Sequence, residues 1–213
     1  MKRIVLFGAS GHGKVVADVA FTAGWDEILF FDDAWPGIST NGRWPVVGNF
    51  ASFLERRHEF DAALVSIGNC GVRWRIQQQI AATGIPLATI VHPRACVSRF
   101  ATLGEGTVVM AGAVVNVDAV VGKGCIINTG ATIDHDCRLA HAVHVSPGAN
   151  VSGGVTVGAG TWIGVGASVR QGVRIGYETM VGAGAVVVKD VGDNMTVMGC
   201  PAGPRDAITH RRP

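Results

Sequence analysis

Apolar and polar positions obey different rules in the two halves of this 213-residue chain. Before residue 90, short apolar runs at Lys2–Phe7, Glu27–Phe31 and Ala62–Ile67 read as buried strands, while Lys14–Ala23, Phe50–His58 and Val72–Thr83 read as helices. This alternation predicts an α/β domain, a small parallel sheet with helices on both faces. The stretch from Gly84 to Pro93, bracketed by two prolines, then carries the chain out of it.

From residue 97 the period is six. Val97, Leu103, Val109 and every sixth residue through Val187, sixteen positions in all, are Val, Ile or Leu. The position two before each is small or compact, from Ala95 to Ala185, and the position three after each is glycine at ten of the fifteen places from 100 to 184. Neither a 3.6-residue helix nor a lone alternating strand produces this pattern. A triangular coil does: three six-residue sides make one turn, each side buries one aliphatic, and stacked turns pair as parallel strands about 4.8 Å apart. The aromatic residues agree with a division near residue 90, since eleven of fourteen precede residue 75. The organisation is therefore an N-terminal domain over 1–90 and a coil with a C-terminal tail over 91–213.

Composition narrows the function. The formal charge is +2, with Lys and Arg at 18 against Asp and Glu at 16, and no basic run exceeds the tail pair Arg211-Arg212. No nucleic-acid stripe and no membrane-binding face is expected. No apolar run approaches the roughly 20 residues of a membrane span. The opening Met1-Lys2-Arg3 runs into a strand and not into a signal core, and five scattered cysteines without CxxC spacing predict a reducing cytoplasm and no zinc site. Only ten of residues 97–187 are charged, which suits a coil that associates with copies of itself.

Two regions carry candidate chemistry. Gly8-Ala-Ser10-Gly11-His12-Gly13-Lys14 joins a strand to a helix, where backbone N–H groups and the helix dipole favour a phosphate. Its GxxGxG spacing is not the dinucleotide fingerprint, so a single nucleotide or nucleotide-sugar fits better than NAD. Asp32 and Asp33 end the second strand, and Asn69 follows the third, at the carboxyl edge where α/β sheets bind ligands. A tight turn alone also explains the glycines, a local turn also explains Asn69, and His12 serves either a ligand or its own loop.

In the coil, His135 lies between Asp134 and Asp136. A histidine beside a carboxylate is oriented and titrates near neutrality, as a general base requires. Gly153 is 18 residues on, one turn, and so stacks on His135 with a main-chain donor suited to an oxyanion. His144 is half a turn away and belongs to a different side. In a three-fold oligomer a neighbour's His144 is expected to face His135. Asp134 reads as a solvated corner as readily as anything else, Cys137 and Cys125 as packing, and His141 and His92 as structural.

Together these motifs, with Ile90-Val-His-Pro93, His144-Val-Ser-Pro-Gly-Ala149 and Gly199-Cys-Pro-Ala202, resemble the bacterial hexapeptide-repeat sugar acyltransferases, which include sialic acid O-acetyltransferases and nucleotide-amino-sugar N-acetyltransferases. The resemblance spans nearly the whole chain. It implies a Rossmann-like N-terminal domain that holds a nucleotide-sugar, and a left-handed parallel β-helix that associates as a homotrimer with acetyl-CoA between neighbouring coils. It places the base at His135, the orienting carboxylate at Asp136, a CoA or thioester contact at His144 and an acetyl-carbonyl donor at Gly153, with no metal. Some relatives carry Glu at the place of Asp136 and asparagine at the place of Cys70. The reaction expected is N-acetylation of a nucleotide-linked amino sugar by direct transfer. O-acetylation of a sialic acid hydroxyl and a non-catalytic nucleotide-sugar scaffold are the alternatives.

Overall fold

In the computed structural model, which describes residues 1–204, the N-terminal domain comprises β1 (Arg3–Phe7), α1 (Gly11–Thr22), β2 (Glu27–Phe31), β3 (Thr40–Asn41), β4 (Trp44–Gly48), α2 (Phe50–Arg56), β5 (Ala62–Val65) and α3 (Cys70–Ala81). Arg211-Arg212 and the rest of the expected tail beyond 204 lie outside the described residues. The sheet order is β3-β4-β2-β1-β5, parallel except for the β3–β4 hairpin. The strands over 3–7 and 27–31 coincide with the apolar runs because each is buried on both faces. The hairpin is an addition to the expected elements, since Pro45 and a turn-rich approach hide an edge strand from periodicity.

The first helix begins at Gly11 and not at Lys14, so Gly11, His12 and Gly13 form its first turn. A Cβ on Gly13 would collide with the Gly8 carbonyl, and glycine there lets the helix start against the strand end. Val16, Ala17 and Ala20 of α1 pack on one side of the sheet, and Phe53 of α2 with Ile80 of α3 on the other.

From Ile90 onward the chain winds into two-residue strands on three parallel faces. Vertical partners are 18 residues apart, as in Val115 with Ile133 and Ile133 with Val151. Both repeat registers fill the interior: the aliphatics and the small residues, Ala113 and Ala131 among them, form one continuous buried cluster. The third register turns the corners. Its backbone is left-handed at every sixth residue from 106 to 184, by glycine at ten places and by Asp118, Asp136, Ala142 and Glu178 at the others.

The N-terminal domain does not hang free of the coil. It covers the face that carries Val108, Ile126 and His144, outward-pointing positions that are nonetheless buried, and Val108 and Ile126 join the core beneath α1. This is the docked face. The next face along the chain presents Cys96, Val114, Thr132, Asn150, Ser168 and Val186, without a charge, and no element among the described residues covers it. It is the open face, and His135 stands on the edge where it meets the third face.

Candidate active site

The edge site is built from the corner itself. The Asp134 Oδ1 accepts the His135 N–H at 2.8 Å and the Asn116 Nδ2–H at 2.9 Å, fixing the turn that presents the imidazole. Asp136 follows in the left-handed corner with φ 59°, a conformation a short polar side chain tolerates better than most. Its Oδ2 lies 2.7 Å from His135 Nδ1. The carboxylate accepts the Nδ1–H, which leaves Nε2 with the lone pair. This bond first, then the charge of Asp134, raises the His135 pKa above the usual histidine value. Asp134 itself is held below the usual carboxylate range, chiefly by the His135 N–H and then by Asn116.

The stacking expected from the 18-residue turn is present. A Cβ on Gly153 would stand 2.5 Å from His135 Nε2 and 2.6 Å from Cε1, so the ring rests directly over the glycine. The chains are tied at this level by Gly154 N–H donating to the His135 carbonyl at 2.9 Å. The His135 side chain remains 57% exposed, open to a substrate. Cys137, in the same turn, faces inward and donates to the Ser152 carbonyl, and burial raises its thiol pKa, as for packing and not for a nucleophile.

The second candidate region is a cavity of about 410 Å³ at the carboxyl ends of β1 and β2, lined by Gly8, Asp32, Asp33, an aromatic floor of Phe7, Phe31 and Phe50, and by Arg75 and Gln79 of α3. Asp33 is exposed there. Asp32 is committed to the fold: its two oxygens accept the Ala9 and Ala34 N–H groups at 2.7 and 2.9 Å. Ser10 precedes α1 without capping it through its side chain, and its carbonyl accepts the Asn41 side chain at 3.0 Å. Gly11 is exposed with open space beside it. Asn69 caps α3, accepting the Val72 N–H at 3.0 Å.

A third group lies at the junction of the domains. His144 is 5% exposed, with Trp162 stacked on it at 4.5 Å and His12 at 6.1 Å on the other side. Its Nδ1 is 3.2 Å from the Gly68 carbonyl and its Nε2 is 3.2 Å from Asn128 Nδ2. Those partners require Nδ1–H and a bare Nε2. Burial, then the Arg73 charge, lowers His144 to about 3 and His12 to about 4. His12 Nε2 is buried without a partner among the described residues. Thus one chain brings His135, Asp136 and Gly153 together, and separately joins His12 to His144. It does not bring His144 to His135.

Against this geometry, residues 3–80 match the family of the PglD N-terminal domain. The acetyltransferase domain of PglB from Neisseria gonorrhoeae is 43% identical, covering 96% of this chain and all of that one, with a TM-score of 0.91. The chain belongs to the hexapeptide-repeat sugar acyltransferases. The coil is accordingly the left-handed parallel β-helix of that family. PerB from Caulobacter crescentus, solved in complex with CoA and GDP-perosamine, is 38% identical over 96% of this chain and 98% of its own, with a TM-score of 0.91. A UDP-N-acetylbacillosamine N-acetyltransferase of Bacillus subtilis is 37% identical over 115 residues, 52% of each chain, so the match spans about half of that relative's length.

Several residues around the sites of this acyltransferase gave no signal in its sequence. Arg73 is the fully buried arginine of an otherwise ordinary helix, and Trp162 occupies an outward coil position, half-buried against His144 and Ser146. The aromatic floor of the cavity belongs to three separate elements. His141 has the structural role expected of it, stacking on Trp74 at 4.1 Å where α3 meets the coil. Among the described residues, no group of three or more His, Cys, Asp or Glu side chains is placed to hold a metal, and no helix is long and apolar enough to cross a membrane.

Proposed function

We propose that this protein transfers an acetyl group from acetyl-CoA to the amine of a nucleotide-linked amino sugar, with His135 as general base. The observation that carries the reading is the position of His135: Nδ1 bonded to Asp136, Nε2 bare, accessible and directly above Gly153. The amine nitrogen attacks the thioester carbonyl as Nε2 takes its proton. The Gly153 N–H stabilises the oxyanion, the C–S bond breaks, and the proton returns to the departing CoA sulfur. The nucleotide belongs in the cavity of Asp33 and Arg75, over the aromatic floor.

The acting unit is a homotrimer closed through the open faces. The uncharged column from Cys96 to Val186 supports this, as do the exposed Phe100 and Val117 beside His135. In such a trimer the edge that carries His135 meets the next copy's edge that carries Asn128, close to His12 and His144, so acetyl-CoA lies between coils. The five cysteines are free, which supports a reducing, cytoplasmic setting.

The test incubates the protein with acetyl-CoA and a panel of UDP- and GDP-linked amino sugars beside their hydroxyl counterparts, following free thiol and product mass. Turnover with an amino sugar and no CoA release in the absence of an acceptor is expected. Turnover confined to hydroxyl sugars, or a stoichiometric burst of CoA from acetyl-CoA alone, contradicts the reading.

A further inference from the structure

Arg73 is a buried charge that the reaction as described leaves without a purpose. It projects from α3, is 1% exposed, and its guanidinium donates only to main-chain carbonyls: Gly124 at 2.7 Å, Ile67 at 2.9 Å, Gly68 at 2.8 Å, Ala142 at 2.7 Å and Val143 at 3.5 Å. Two of these carbonyls end the β5 loop and three belong to the coil. No carboxylate pairs with it among the salt bridges of the described residues. An unpaired buried charge is expensive, and an apolar side chain could pack α3 on the coil without it.

The Gly68 carbonyl explains the arrangement. It accepts from Arg73 Nη1 and is also the partner of His144 Nδ1. The same guanidinium therefore anchors the acceptor that sets the ring's tautomer. We infer that Arg73 is a positioning residue: through Gly68 it fixes the His144 ring with Nδ1–H toward that carbonyl and Nε2 toward Asn128. The groups around the ring are consistent with this. His144 meets His12 from α1 and the uncharged Asn128 and Trp162 from the coil, and Arg73 of α3 reaches it through the shared Gly68 carbonyl. After burial, the Arg73 charge is the largest influence that lowers both rings, and no carboxylate acts on either.

The consequence for transfer rests on the function proposed above. In the proposed trimer His144 lies near the edge that meets the next copy's His135, and a fixed tautomer keeps its Nε2 an acceptor facing Asn128 beside the groove that holds acetyl-CoA.

The test uses histidine labelled with 15N in the whole protein, with the His144 signals assigned by their loss in His144→Asn. In the natural protein His144 is expected in the Nδ1–H form and untitrated down to about pH 5. In folded Arg73→Gln the Gly68 carbonyl loses its anchor, so His144 is expected to lose its single Nδ1–H tautomer, with kcat on the alkaline plateau, above the His135 limb, falling at least about tenfold and KM carrying little of the loss. In Arg73→Lys the charge stays and the forked bonds go, so the ring stays neutral but its tautomers mix. A single unchanged tautomer in folded Arg73→Lys overturns the inference even where Arg73→Gln does not fold. So does a single unchanged tautomer with an unmoved plateau kcat in folded Arg73→Gln. The spectra need no turnover, so an inactive natural protein would refute the proposed function and leave this result standing.

Discussion

The Nε2 atom of His135 lies 2.5 Å from the point where a Cβ on Gly153 would stand, one full turn of the coil away. Gly153 is therefore required by the neighbouring ring and not by its own backbone, because it is not among the left-handed glycines. Gly153→Ala should fold with a melting temperature close to that of the natural protein, while the displaced imidazole lowers kcat by about 100-fold. Thermal melting and steady-state kinetics on one sample check both halves. Full activity in Gly153→Ala would mean that the ring does not act from this position.

Asp136 raises the His135 pKa, so the acid limb of kcat/KM should lie above the ordinary histidine value. Below that limb Nε2 is protonated and cannot take the amine proton. In Asp136→Asn the limb should move to lower pH, and the plateau should fall because the ring loses its charged partner. The pH profiles of the two proteins give the comparison. A limb that stays in place assigns it to another group.

The same residue occupies a left-handed corner where most turns of the coil use glycine. Asp136→Gly removes a backbone strain of about 1–2 kcal/mol, offset in part by the greater freedom of glycine in the unfolded chain. The expected outcome is a melting temperature no lower than that of the natural protein together with a large loss of turnover. Calorimetry beside the transfer assay tests whether the corner holds Asp for catalysis at a cost to stability.

His12 and His144 are depressed to about 4 and about 3 in the fold. As pH falls below about 6.5 the unfolded chain takes up protons at both sites and the folded chain does not, so stability is lost on acidification and is fully present above that value. Each ring should cost about 2 kcal/mol between pH 7 and pH 5. Denaturant midpoints at the two pH values measure the sum, and His144→Asn should remove part of the slope.

Asp32 and Asp33 are adjacent but serve different ends. Asp32→Ala frees the Ala9 and Ala34 amides and should lower stability by about 1–3 kcal/mol. Asp33→Ala leaves the fold intact and should raise KM for the nucleotide-sugar with little effect on kcat. Melting curves and substrate titrations separate the two.

The coil was legible to the residue because its period fixes its geometry. A strict repeat of six dictates vertical neighbours 18 apart, so the His135–Gly153 contact followed from counting alone. The strands β1, β2 and β5 were equally plain, being continuous apolar runs. What could not be read was contact between elements with no shared period. Nothing local in α3 distinguishes Arg73 from an exposed arginine, and Val108, Ile126 and His144 repeat outward like any other coil positions until the N-terminal domain covers them. The β3–β4 hairpin is too short and too interrupted by Pro45 to declare itself. Asp32 and Asp33 end the same strand and both line the cavity, and only the Ala9 and Ala34 amides show that Asp32 also ties the loop together.

The central claim is that the exposed His135 imidazole takes the proton from the attacking amine. The direct measurement is the rate of CoA release from acetyl-CoA with an accepted amino sugar, for the natural protein and for His135→Ala at the same assembly state. A drop in kcat of about 100- to 10,000-fold, with little change in substrate binding, is the expected result. Turnover within a few-fold of the natural rate would contradict it.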